Sequence, residues 1–271
     1  MITFKEREEK LFALWMQACK EKDGIDPQED FAFDGLLFRG EFKLVGGCWE
    51  RQPGNESELW ENAPCRLLIL TKDTTRNGGL EDIRIETARK NHIGEMVETV
   101  GVSFYRNLTL WAYALQNALT GGEITSYDDA PTWDQLREHY ESAAIARVNC
   151  KKQIGKSSIS NPELKAHIER YSDFLKEQVA MYDADVILCC GNQDDCNVIK
   201  DFIHEAYLPD LEKVSDAGWV YYSPSTSKIV IDSFHPTSRK SFRKMYEDMM
   251  EDVRCYLSTI AIFHDSSFRL R

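Results

Sequence analysis

The chain has 271 residues, 42% of them hydrophobic and 29% charged, and its 33 Lys and Arg against 45 Asp and Glu give a formal net charge of −12. That balance excludes a disordered or fibrous protein and predicts one large domain or two small ones with a sizeable core. An acidic total speaks against uniform attraction to nucleic acid, although the potential at a site is set locally. The apolar runs are far shorter than the ~20 residues a membrane span needs, so no membrane partner is expected. Eight cysteines, at 19, 48, 65, 150, 189, 190, 196 and 255, form no CxxC pair. In a chain of this size they read as reduced, mostly buried thiols in a cytoplasmic protein.

Residues 4–22 put Phe4, Leu11, Phe12, Leu14, Trp15 and Cys19 largely on one helical face, a charged amphipathic pattern unlike a targeting segment. Glycine and proline punctuate 23–64, which predicts short strands and loops. We read 1–64 as an N-terminal extension packed on a main α/β domain of residues 65–271. Apolar runs then predict strands at 65–71, 145–150, 185–190, 219–223 and 229–234. Between them, helices are predicted at 103–119, at 132–142, from Ser160 to about Tyr182, after Asn192, and after Arg239. Asn161 and Pro162 mark the start of the third of these. Strands alternating with helices predict a three-layer α/β/α sandwich around a mostly parallel sheet of four or five strands.

In such folds the site lies at the carboxyl ends of the strands. That rule selects stretches 71–79, 147–156 and 235–244, which together hold ten basic residues and one acid, Asp73. A basic rim on an acidic body suits an anionic ligand. Arg243 and Lys244 are discounted, since they can merely solvate a helix. After a strand, Asp73 can polarise water or stabilise a developing cation; capping the loop is its ordinary alternative. His235 precedes a proline, which restricts its backbone, and can donate to a developing anion. The amide of Asn149 suits the edge of a nucleobase.

In order and spacing, these pieces resemble the uracil-DNA glycosylase superfamily over roughly residues 65–258. Leu70-Thr71-Lys72-Asp73-Thr74-Thr75 is similar to the family's Gly-Gln-Asp-Pro-Tyr type loop, with Asp73 on the acid and Lys72 on the amide position. Ser103-Phe104 is similar to the segment that places a ring under the flipped base. Asn149 matches the strand-end Asn that reads the uracil edge. His235-Pro236-Thr237-Ser238 is similar to the motif whose His stabilises the uracil anion, with Arg239 where the family inserts into or contacts the nucleic acid. The resemblance implies a DNA repair enzyme that hydrolyses the N-glycosidic bond of uracil or another damaged base flipped into a pocket. Asp73 and His235 would be catalytic, and Asn149 and Phe104 would bind the base. Lys72, Lys151, Lys152 and Arg239 would contact phosphates of single- or double-stranded DNA. No cysteine set matches an iron–sulfur cluster, so no cofactor and no metal are expected. Two alternatives stand beside this reading: a non-catalytic nucleic-acid or nucleotide binding module on the same scaffold, and a hydrolase of free nucleosides or nucleotides.

Overall fold

Thr3 caps the first helix and Glu6 returns the bond in a capping box, so α1 starts at Phe4 and runs to Asp23. Its buried side chains are Phe4, Glu8, Leu11, Phe12, Trp15 and Cys19. Leu14, expected on that face, is instead exposed. These coordinates come from a computed structural model, which describes residues 2–26, 30–46, 48–73, 79–85, 90–92, 95–97, 102–155, 159–193, 196–214 and 217–263.

The protein is a mixed α/β structure built on a seven-stranded sheet. Its strands are β1 (Gly35–Leu36), β2 (Leu67–Thr71), β3 (Ile145–Asn149), β4 (Val186–Asn192), β5 (Glu212–Lys213), β6 (Val220–Ser223) and β7 (Lys228–Phe234). They lie in the order β5-β6-β7-β4-β2-β3-β1. The four central strands β7, β4, β2 and β3 are mutually parallel, whereas β1, β5 and β6 pair antiparallel at the two sides. All five predicted strands are present. The sheet nevertheless exceeds the four or five expected, and its overall orientation is mixed. The two additions, β1 and β5, are two residues long, too short to carry an apolar run.

Every residue of β2 and β3 is buried; β2 accordingly reads as an apolar run from Leu67 to Leu70, while β3 buries Arg147 and Asn149 among its apolar residues. Alternation divides them between two cores. Leu68, Leu70, Ala146, Val148, Ile187, Cys189 and Val230 meet α1, α5 (Asn161–Arg170), α6 (Ser172–Tyr182) and α7 (Val198–Phe202). Leu67, Ile69, Ile145, Leu188, Cys190, Ile229 and Ile231 meet α3 (Val102–Leu119), α4 (Trp133–Ser142) and α8 (Phe242–Phe263). The free thiols of Cys189 and Cys190 therefore belong to opposite faces. The long helix expected over 160–182 is two helices. Tyr171 breaks it with φ −121° and ψ 23°, placing its ring 6.1 Å from that of Trp15 and its hydroxyl on Asp23.

The stretch before residue 65 holds helix α2 (Glu56–Asn62), which the sequence reading missed, and two strand pairings outside the main sheet. It also supplies buried charge. Glu8 accepts from Leu36 N, Arg84 Nη1 and the Tyr182 hydroxyl at 2.8–2.9 Å. Asp34 accepts from Asn149 N at 2.8 Å and Gln178 Nε2 at 2.7 Å, and pairs with Lys152 Nζ at 2.5 Å. Both Asp34 and Lys152 are 0% exposed. Lys152, expected as a phosphate contact, is thus an internal cation over the rings of Trp15 and Phe12. Its proximity to a basic loop in sequence concealed a partner 118 residues away.

Candidate active site

The four parallel strands lie in the sheet as second, first, third and fourth in chain order (β3-β2-β4-β7). Connections reverse between β2 and β4, and a crevice forms beyond the carboxyl ends of strands at such a reversal. The ends of these four strands carry Thr71-Lys72-Asp73, Asn149, Asn192-Gln193 and Phe234-His235. The β2–β3 ladder continues past both strands, Cys150 N to Thr71 O at 2.9 Å and Lys151 N to Lys72 O at 3.0 Å. That lacing fixes the backbones of Lys72 and Lys151 side by side.

Asp73 is 6% exposed in its side chain, and Lys151 Nζ stands 3.9 Å from it. Its Oδ2 is buried and accepts no hydrogen bond among the described residues. Burial raises its pKa above the ordinary carboxylate value, against the opposing pull of Lys151 and Lys72. Thr74, Thr75, Arg76 and Lys156 lie outside the described residues.

His235 is held by its own loop. The Thr237 N–H donates to Nδ1 at 3.3 Å, and the Thr237 hydroxyl sits 2.8 Å from the same nitrogen. Nδ1 is therefore an acceptor. Burial, aided by the Lys72 and Arg147 cations, pushes the imidazole down to about 4, so the ring is neutral at pH 7. A neutral ring with an accepting Nδ1 carries its proton on Nε2. Asn107 Nδ2 donates to Pro236 O at 2.5 Å and anchors the turn from α3.

Phe104, in the first turn of α3, has its ring centroid 5.8 Å from that of His235. The Arg147 guanidinium lies 5.4 Å over the same ring and donates to the Tyr105 hydroxyl at 3.2 Å. Arg147, counted among the loop cations by sequence, is thus an interior residue of β3. Asn149 is buried, and its Oδ1 accepts from the Thr71 hydroxyl at 2.5 Å. Among the described residues Lys72 Nζ reaches two neutral amide oxygens, Gln193 Oε1 at 3.4 Å and Asn161 Oδ1 at 3.5 Å.

The structure therefore brings Asp73, Lys72, Asn149, Lys151, Phe104 and His235 to one edge of the sheet. Arg239 is exposed on the loop after His235. Arg243 pairs with Asp128 and Glu247, and Lys244 with Asp248, so neither adds free charge to the rim. The chain matches no family model and no curated protein. Among the described residues, no group of three His, Cys, Asp or Glu side chains is placed to hold a metal ion, and no helix is long and apolar enough to cross a membrane.

Sequence reasoning missed the end of β4. Asn192 donates to Asp232 at 3.0 Å and leaves its Oδ1 buried and without a hydrogen-bond partner among the described residues. The strand-end rule that selected the other three loops applies equally to Asn192 and Gln193. A separate cavity of about 520 Å³ lies between α2, α3 and α4, lined by Cys65, Gln116, His139 and Ala144 among others. It opens where β2 and β3 begin, at the opposite edge of the sheet, and contains none of the site residues.

Proposed function

We propose that the chain is a uracil-DNA glycosylase-like hydrolase, with a three-layer α/β/α arrangement whose parallel centre carries the site. The observation that carries this reading is an acid and a neutral donor at one sheet edge: the Oδ2 of Asp73, which accepts no hydrogen bond among the described residues, and the Nε2–H of His235. Breaking an N-glycosidic bond builds positive charge on the sugar and negative charge on the departing base. Asp73 answers the first need by stabilising the sugar cation or orienting water. His235 answers the second by donating to a base oxygen, and a neutral imidazole does so without surrendering a full proton. Phe104 offers a ring beside His235 for the extruded base. The Asn149 amide, fixed by Thr71, reads the base edge.

Among the described residues Lys72, Lys151, Arg239 and the exposed Lys240 remain to meet phosphates, because Lys152 and Arg147 are interior. Buried reduced thiols are in keeping with a cytoplasmic location. The test is base release from single-stranded DNA carrying uracil or other damaged bases. Activity is expected, with His235→Ala and Asp73→Asn each losing about 10²–10³ in rate while circular dichroism stays unchanged. No product on any base refutes the enzyme. Salt-sensitive DNA binding without product then supports a binding module on the same scaffold.

A further inference from the structure

Three lysines follow the first two parallel strands, and their surroundings differ. Lys152 is locked on Asp34. Lys151 lies 3.9 Å from Asp73 and donates to Gln153 O at 2.7 Å. Lys72 makes no ion pair among the described residues; its two contacts are long and go to neutral amide oxygens. Its backbone is pinned by the bond from Lys151 N. Its ammonium stands at the reversal between β2 and β4, next in sequence to the carboxylate that the proposed reaction uses.

We propose that Lys72 is a nucleophilic amine, and that the protein cleaves the strand at abasic sites through a Schiff base on it. The inference rests on the glycosylase reading, whose product is an abasic sugar. Each step balances without an oxidant or reductant. The neutral amine adds to the C1′ aldehyde of the ring-opened sugar, and the carbinolamine takes up a proton from solvent and loses water to give an iminium, the proton being returned when the iminium is hydrolysed. Asp73 takes the C2′ proton and the released electron pair forms a C1′–C2′ double bond, neutralising the iminium nitrogen as an enamine; the nitrogen lone pair then returns, the C2′–C3′ double bond forms, and the C3′–O bond breaks with the phosphate as leaving group. The iminium is the electron sink. Water then hydrolyses it, returning the amine and an unsaturated aldehyde.

Two further features suit this role. Burial lowers the Lys72 pKa, which raises the fraction present as free amine. Among the described residues the ammonium makes no ion pair that would have to break before attack, although the Asp73 charge pulls its pKa the other way. A lysine kept only for phosphate contact gains nothing from a half-buried position beside an acid.

The experiment uses the full-length protein, single-stranded DNA with a preformed abasic site, and borohydride to reduce any iminium to a stable secondary amine. A covalent protein–DNA adduct is expected, with peptide mapping placing it on Lys72. Lys72→Arg keeps the charge but cannot form the iminium, so the adduct should be lost, whereas Lys244→Gln should keep it. No adduct, an adduct mapped to another lysine, or an undiminished adduct in Lys72→Arg overturns the inference. Because the abasic site is supplied, the two readings fail separately. Base release without an adduct overturns the lyase alone. An adduct without base release upholds Lys72 as nucleophile and removes the glycosylase.

Discussion

Replacing Lys152 with methionine tests whether this lysine belongs to the interior or to the rim. The substitution keeps most of the apolar stem against Trp15 and Phe12 and deletes the ammonium 2.5 Å from Asp34. Asp34 then stays fully buried with two donors, Asn149 N and Gln178 Nε2. Breaking one side of a buried ion pair costs about 3–5 kcal/mol. The two surviving bonds to the carboxylate place the expected loss near the lower figure. Against a total stability of about 5–15 kcal/mol, that is a large fraction. Urea unfolding followed by tryptophan fluorescence measures it, since the ammonium lies 5.0 Å over the Trp15 ring. The midpoint should fall with little change in slope. Adding Asp34→Asn should recover part of the loss, because the uncompensated charge disappears with it. A loss below about 1 kcal/mol, paired with weaker DNA binding, would return Lys152 to the rim and refute the buried-pair argument.

Three other outcomes follow from the geometry. By nuclear magnetic resonance, His235 should stay neutral, with its proton on Nε2, down to about pH 4; a midpoint near 6.5 contradicts its burial. In the unfolded chain the same ring protonates near its ordinary value of about 6.5, so its contribution to stability should fall as pH drops from there toward 4. Gly35→Ala should lower stability by about 1–3 kcal/mol, because Gly35 has φ +129° and a Cβ there would collide with the Glu8 carboxylate and the Tyr182 hydroxyl; an unchanged thermal melt refutes this. Arg239→Ala should weaken DNA binding and reduce the slope of log affinity against log salt by about 1, and an unchanged slope removes Arg239 from the interface.

Local chemistry explains what the sequence did and did not disclose. The four parallel strands are buried on both faces, and their largely apolar runs announce them. Strand ends then pointed to Asp73, Asn149 and His235 without any knowledge of contacts. β1 and β5 left no trace because their membership in the sheet comes from pairing partners distant in the chain. Charge misled twice for the same reason. Arg147 and Lys152 sit in a basic stretch that reads as solvated, yet Tyr105 and Phe104 receive one and Asp34 the other. The break at Tyr171 was likewise invisible, since Trp15 and Asp23 cause it from α1. The tautomer of His235 required the Thr237 backbone geometry.

The buried charges of the first helix and the strand after it also constrain how the chain assembles. Glu8 needs Arg84 and Tyr182, Asp34 needs Lys152 and Gln178, and the Trp60 indole donates to Tyr182 O. Those partners lie 76 to 174 positions along. During synthesis the first 64 residues must wait for about two thirds of the chain before their acids are neutralised. Non-local closure of this kind slows folding, because the loop entropy is lost before the contacts repay it. Until residue 182 emerges, α1 presents Phe4, Phe12 and Trp15 to solvent, a ready handle for chaperones and a liability for aggregation. A ribosome-stalling series that reports when protease resistance appears should therefore show one late step beyond Tyr182, with the amino-terminal helix among the last elements to become protected.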